Sequence, residues 1–211
     1  MKHIVVCLPF ARDYIYCDFM VSWTKMFMYA RDKYNLSLTT IVGPYIDDNR
    51  ERLVRTAMPM EPDYLLFIDD DQTYPANTPE ILMNHIDSGK LIVGGITPMK
   101  ETCAPMIWDC DDASKEINLW SELEGKTGLV KIDGFGMGGV MIHHSVFYKI
   151  DPPYFRGDHA DSWRKRGEDI EFYLKCREAG IGVWADLDLQ FGHITTREVR
   201  IGDQPRKKAD S

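Results

Sequence analysis

The stretch YLLFIDDDQTYP, residues 64–75, decides how the fold is read. Five apolar residues run directly into Asp69, Asp70 and Asp71. A short apolar run ending in charge is the pattern of a buried strand whose carboxyl end emerges at a surface. Three adjacent carboxylates repel one another, so they hold full charge at neutral pH only where water, cationic side chains or a metal ion compensate them.

Outward from this stretch, strand and helix signals alternate. HIVVCL reads as a buried strand, and Ile15, Phe19, Trp23 and Phe27 then recur every four residues as one helix face. LSLTTIV is a second strand closed by Gly43 and Pro44. DDNRERLVRTAM suits a helix with Leu53, Val54, Ala57 and Met58 inward. Downstream, a helix over residues 78–88 is expected, with Thr78 as N-cap, Ile81, Leu82 and Ile86 inward and Gly89 as its stop. KLIVGGI is then a further strand. Strands separated by helical segments imply right-handed crossovers and an α/β domain with a mainly parallel central sheet flanked by helices. Ligands in such sheets sit outside the carboxyl ends of the strands, where the three aspartates fall.

After Thr97 the pattern weakens. Residues 100–128 read as an irregular excursion with one hairpin, and GLVKIDGFGMGGVMI as two short strands around a glycine-rich turn. A small helix near residues 145–149, a helix over 168–179 ended by Gly180, and a strand from Val183 complete the pattern. Residues 198–211 have no apolar periodicity and are expected to form a flexible tail, leaving 1–197 as one domain.

Composition sets outer bounds. With 211 residues, 44% of them hydrophobic, the chain is large enough for one sizeable core. A formal charge of −8 argues against duplex DNA as a partner, because phosphate neutralisation needs clustered Lys and Arg. The five cysteines include no pair with the two-residue gap of a zinc knuckle or redox dithiol, so reduced thiols and a cytoplasmic setting are expected. No transmembrane segment is expected, since no run approaches the ~18 apolar residues of a spanning helix.

The chemistry-bearing residues each admit a plain reading beside a functional one. In an extended stretch Asp69 and Asp71 share a side while Asp70 points away, which suits a hard divalent cation as well as a solvated acidic turn. In GEDIEF, Glu168 and Asp169 fall in the first turn of a helix, where the dipole favours acids whatever their role. His193 in FGHI follows an apolar strand, where a histidine also serves as a satisfied turn residue. GFGMGG, with Gly138 near its end, either brings backbone amides close to a substrate or makes a tight turn, and it lacks dinucleotide-binding spacing.

Taken in order, R..LV..AM....DYLLFIDDDQTYP, LIVGGI, GFGMGGVMI, GEDIEFYLKCREAGI and FGHI resemble the GT-A-fold glycosyltransferases, particularly the family 2-like enzymes of phages and other large viruses. The resemblance spans residues 2–194 and implies a single-domain, Rossmann-like GT-A fold. It implies that Asp71 binds a metal, that Asp69 meets the metal or the donor ribose, and that Asp70 is the variable position beside the donor. It also implies that His193 is an additional metal ligand, a mixed set that suits Mn²⁺ better than Mg²⁺. Asp169 resembles the acceptor-activating base of the inverting enzymes, held ionised by the helix dipole, with Glu168 orienting the loop or acceptor. The implied donor is a nucleotide-sugar, a UDP-sugar first, with Pro9 and Arg12 at its base end and Arg197 and Arg200 closing over the diphosphate. The expected acceptor is a carbohydrate or other small hydroxyl compound, met in the host cytoplasm if the chain is viral.

Two rivals stay open at this point. Asp69-x-Asp71-x-Thr73 also fits a haloacid dehalogenase-like phosphatase, with Asp69 as nucleophile and Asp71 as general acid, although that motif usually ends the first strand and here two strand–helix units precede it. A non-catalytic nucleotide-sugar-binding module would keep the fold without the chemistry.

Overall fold

A computed structural model describes residues 1–12, 14–112, 115–118, 123–156, 167–195, 198–199 and 201. The first half alternates as expected: β1 (His3–Phe10), α1 (Cys17–Ala30), β2 (Asn35–Val42), α2 (Ile46–Ala57), β3 (Tyr64–Phe67), β4 (Gln72–Thr73), α3 (Thr78–Asp87) and β5 (Ile92–Ile96). The expected hairpin is β6 (Ile107–Asp112) paired antiparallel with β7 (Lys115–Asn118). Then follow β8 (Leu129–Ile132), β9 (Gly134–Phe135), β10 (Val140–His143), α4 (Glu168–Glu178), β11 (Val183–Gln190), β12 (Gly192–Ile194) and β13 (Glu198–Val199).

The central sheet has seven strands in the order β2-β1-β3-β10-β5-β11-β8. Parallel pairing joins β2 to β1, β1 to β3 and β5 to β11, while β10 and β8 run antiparallel to their neighbours. Side chains alternate faces along a strand. Val5, Cys7, Leu65 and Phe67 therefore join Leu53, Val54 and Ala57 of α2 and Phe172, Tyr173 and Cys176 of α4 in one core. Ile4, Val6, Leu8 and Leu66 join Phe19 and Met26 of α1 and Leu82, Met83 and Ile86 of α3 in the other. Burying each large apolar side chain stabilises the fold by roughly 1.5–3 kcal/mol, and the two cores clamp the sheet between helix layers.

Three expectations are corrected. Buried positions on α1 are Phe19, Ser22, Met26 and Ala30, while Ile15 precedes the helix and Phe27 is exposed, because a strict four-residue spacing drifts off a 3.6-residue turn. Asn77, not Thr78, occupies the N-cap position of α3; the Thr78 hydroxyl donates to the Pro75 carbonyl at 2.8 Å. The glycine-rich segment is not the bend of a hairpin: β8 lies at the sheet edge on β11, and β10 lies centrally between β3 and β5. The short β13 lies inside the segment expected to be a tail and pairs with β12; residues 200 and 202–211 of that segment lie outside the described residues.

Candidate active site

All four residues of β3 are buried, and the chain leaves the sheet at Ile68 and Asp69, then turns at Asp70 and Asp71 into β4. β4 pairs antiparallel with β12, setting Gly192 opposite Thr73 and His193 opposite Gln72, and the Ile194 N–H donates to the Asp71 carbonyl at 2.7 Å. This ladder brings His193 to the aspartate turn. The His193 Nδ1 donates to the Pro98 carbonyl at 2.8 Å, which turns Nε2 toward Asp71 Oδ2 at 3.6 Å.

The three aspartates go different ways because Asp70 and Asp71 sit in a turn, where the alternation of an extended strand does not apply. Asp69 accepts from Arg50 Nη2 through both oxygens, at 2.9 and 3.1 Å, and its backbone N–H donates to the Tyr74 hydroxyl at 2.8 Å. Asp71 accepts from Lys100 Nζ at 2.6 Å and lies 3.7 Å from Arg12 Nη2. Burial pushes its carboxyl up, but His193 and Lys100 outweigh that and hold it well below the usual carboxylate range. Asp70, only 5% exposed, lies 3.9 Å from Arg12 Nη2, and its Oδ2 is buried without a hydrogen-bond partner. Burial lifts Asp70 to about 6 against the pull of Arg12.

Asp69 and Asp71 therefore do not converge on one point with His193. Among the described residues no three His, Cys, Asp or Glu side chains are grouped as a metal ion's ligands. Asp71 and His193 do fit such an ion as a pair: the imidazole is oriented through its other nitrogen, as metal-binding histidines are, and Asp71 stays ionised.

The second half of the site is the start of α4. Gly167 caps the helix with extended backbone, and a side chain there would collide with Asp169 Oδ1, which accepts from the Ile170 N–H at 2.8 Å. The glycine of GED thus leaves room for the folded-back position of Asp169. Burial and the neighbouring Glu168 raise the Asp169 carboxyl to about 7, against Arg50, so the expected dominance of the helix dipole is overturned here. Glu168 does not stand free to orient an acceptor: it is ion-paired with Arg50 Nη1.

Arg50 opens the motif R..LV..AM, and the sequence alone assigns it no role. It is 5% exposed, and it joins the aspartate turn to the start of α4. Burial works against its charge, but Asp69, Glu168 and Asp169 hold it above its ordinary value. Its neighbours on α2 do similar work. Asn49 Nδ2 donates to the Gly43 carbonyl at 2.8 Å and the Phe10 carbonyl at 3.4 Å, and Glu51 Oε2 accepts from the Tyr154 and Phe155 N–H groups at 2.7 and 3.2 Å. Three successive polar residues thus pin the ends of β1, β2 and β3, the start of α4 and the segment at 154–155. The available signal was NRE inside a helix whose later residues are apolar.

Of the remaining expected residues, Pro9 lies within β1, paired with Ile41 and buried, instead of in the following loop. Arg12 does reach the aspartate turn and stacks over the Tyr16 ring at 4.9 Å. Gly138 backs onto Gln72, whose amide fills the place a side chain would take, and Gln72 Nε2 in turn lies 3.4 Å from Asp69. Arg197 and Arg200 lie outside the described residues.

This geometry, a mainly parallel sheet with carboxylates and a histidine gathered at the carboxyl ends of its strands, accompanies a close match in architecture. A197 from STIV superposes with a TM-score of 0.64 over 100% of this chain and 99% of that one, at 14% identity. The fold is of the GT-A type. S. aureus TarS 1-349 is similar more loosely, with a TM-score of 0.46 and 14% identity over 89% of this chain and 60% of that chain, and the fold rests on the first likeness. No protein-family model and no curated protein matches the sequence. Among the described residues no helix is long and apolar enough to cross a membrane.

Proposed function

We propose that this chain is a glycosyltransferase that moves a sugar from a nucleoside-diphosphate sugar to a hydroxyl acceptor with inversion. The observation that carries the reading is the meeting of two carboxylate sets across Arg50: the Asp69–Asp71 turn with His193 on one side, Glu168 and Asp169 on the other. The first set suits a donor diphosphate and the second an acceptor hydroxyl.

In this reading the acceptor oxygen attacks the anomeric carbon and passes its proton to an Asp169 oxygen as the new C–O bond forms. The bond from that carbon to the diphosphate oxygen breaks, and its electron pair leaves with the nucleoside diphosphate. A base whose pKa lies near the working pH is the effective choice, and Asp169 at about 7 meets that condition. Arg12 and Lys100, beside Asp71, offer positive charge to the departing diphosphate. Asp71 and His193 would hold a divalent cation, Mn²⁺ before Mg²⁺, which supplies Lewis-acid stabilisation of the leaving group when bound. Asp69, turned to Arg50, fits a role in fixing the turn and meeting the donor ribose. The donor is read as a UDP-sugar and the acceptor as a carbohydrate.

The test is release of nucleoside diphosphate from a panel of nucleotide-sugars with Mn²⁺, in wild type and Asp169→Asn. The reading expects release with at least one sugar and its loss in the variant. No release with any donor, together with steady turnover of a generic aryl phosphate, would replace transfer by phosphatase chemistry.

A further inference from the structure

The two edges of the central sheet are built differently. At one, β8 has four residues and carries the exposed Lys131; brevity and lysine are means by which an edge is kept from pairing with another chain. At the other, β2 has neither protection. Its eight residues, NLSLTTIV, pair along β1 without a bulge and contain no charge and no proline. Among the described residues β1 is its only strand partner, so its outer row of peptide groups is open. Leu38 is 48% exposed and Val42 61%, and Leu36 and Leu38 with Trp23 and Phe27 line a groove of about 270 Å³ between β2 and α1.

We propose that this edge joins a second copy of the chain, β2 against β2 and antiparallel, so that two seven-stranded sheets become one. Antiparallel pairing of a strand with its own copy sets a two-fold axis normal to the sheet, the isologous contact that closes a dimer. The strand meets itself without like-charge repulsion, although the net charge of −8 opposes random contact elsewhere. The same axis lays the two α2 helices antiparallel on one side of the sheet. Their exposed faces run from Asp48 to Arg52 and Arg55, so the acidic end of one approaches the basic end of the other. Eight residues give a seam ~27 Å long, which at ~20 Å deep covers ~500 Å² on each copy, or ~1,000 Å² in all, about what a specific interface requires. The two candidate active sites then open at opposite ends of the joint sheet, free of the seam.

The proposal stands apart from the transferase reading and is tested without any substrate. Sedimentation equilibrium of the full chain over a concentration series should show the mass rising from 24.3 kDa to twice that value. Amide exchange over residues 35–42 should slow in step. Leu38→Lys, beside the axis, should keep the circular-dichroism spectrum while weakening dimerisation by ~10-fold or more, since like charges then crowd the axis, and Val42→Lys, at the end of the seam, should weaken it less. A monomer at every concentration would overturn the proposal, whether or not it floats with phosphatidylcholine vesicles. So would a dimer that ignores both substitutions and leaves the β2 amides exchanging at the monomer's rate.

Discussion

Arg50 grips both oxygens of Asp69, at 2.9 and 3.1 Å, from a side chain that is almost wholly buried. Its other terminal nitrogen pairs with Glu168, so one guanidinium fork spans the two carboxylate sets of the site. Only a planar, multidentate cation fills that place, and lysine does not.

Arg50→Met should therefore destabilise the fold by ~3–5 kcal/mol, because two largely buried carboxylates lose their counter-ion. Arg50→Lys keeps the charge but reaches only one partner and should fall between. Urea denaturation of the three proteins checks the order.

Asp169→Asn should leave donor binding in place and lower transfer by ~10²-fold or more, the scale of a general base. In wild type, transfer should rise with pH through about 7 as the carboxyl ionises, and the variant should lack that limb. Stability runs the other way. With its folded value above the unfolded one, Asp169 favours the fold fully below pH ~4 and loses that contribution as pH rises through about 7. A pH series of rates and of unfolding midpoints separates the two effects.

Much of this was legible in the sequence because it rested on local patterns. Apolar runs bounded by Gly, Pro or Asp marked the first strands, and acidic residues at strand and helix ends marked the site. What was hidden depends on contacts between distant segments. Nothing local in DDNRERLV distinguishes a solvated Arg from the buried Arg50, whose partners lie 19 and 118 positions away. The central place of β10 was equally hidden, since its antiparallel insertion between β3 and β5 rests on pairing with segments distant in sequence. Asp70 and Asp71 escape the alternation of a strand for a simpler reason: they form a turn.

Gly138→Ala tests the close approach of the glycine-rich segment to Gln72. The added methyl would meet the Gln72 amide, which is held by Thr97 and Tyr74 and cannot move freely. Overpacking of this kind costs ~1–3 kcal/mol. Thermal unfolding should show the loss, and donor affinity should fall with it as the aspartate turn is displaced.

His193→Ala should impair Mn²⁺-supported binding of UDP more than Mg²⁺-supported binding, because imidazole suits the former ion better. Parallel calorimetric titrations with the two ions give the comparison. Equal losses for both ions would assign the ring to positioning Asp71.

Asp71→Ala tests most directly whether the aspartate turn binds a metal-assisted diphosphate. Calorimetric titration of UDP in Mn²⁺ should show binding by the wild type that chelation abolishes, and none by the variant. The variant's far-ultraviolet spectrum should stay native, since Asp71 lies beyond the strand and outside both cores. UDP affinity unchanged in a folded Asp71→Ala protein would contradict the account.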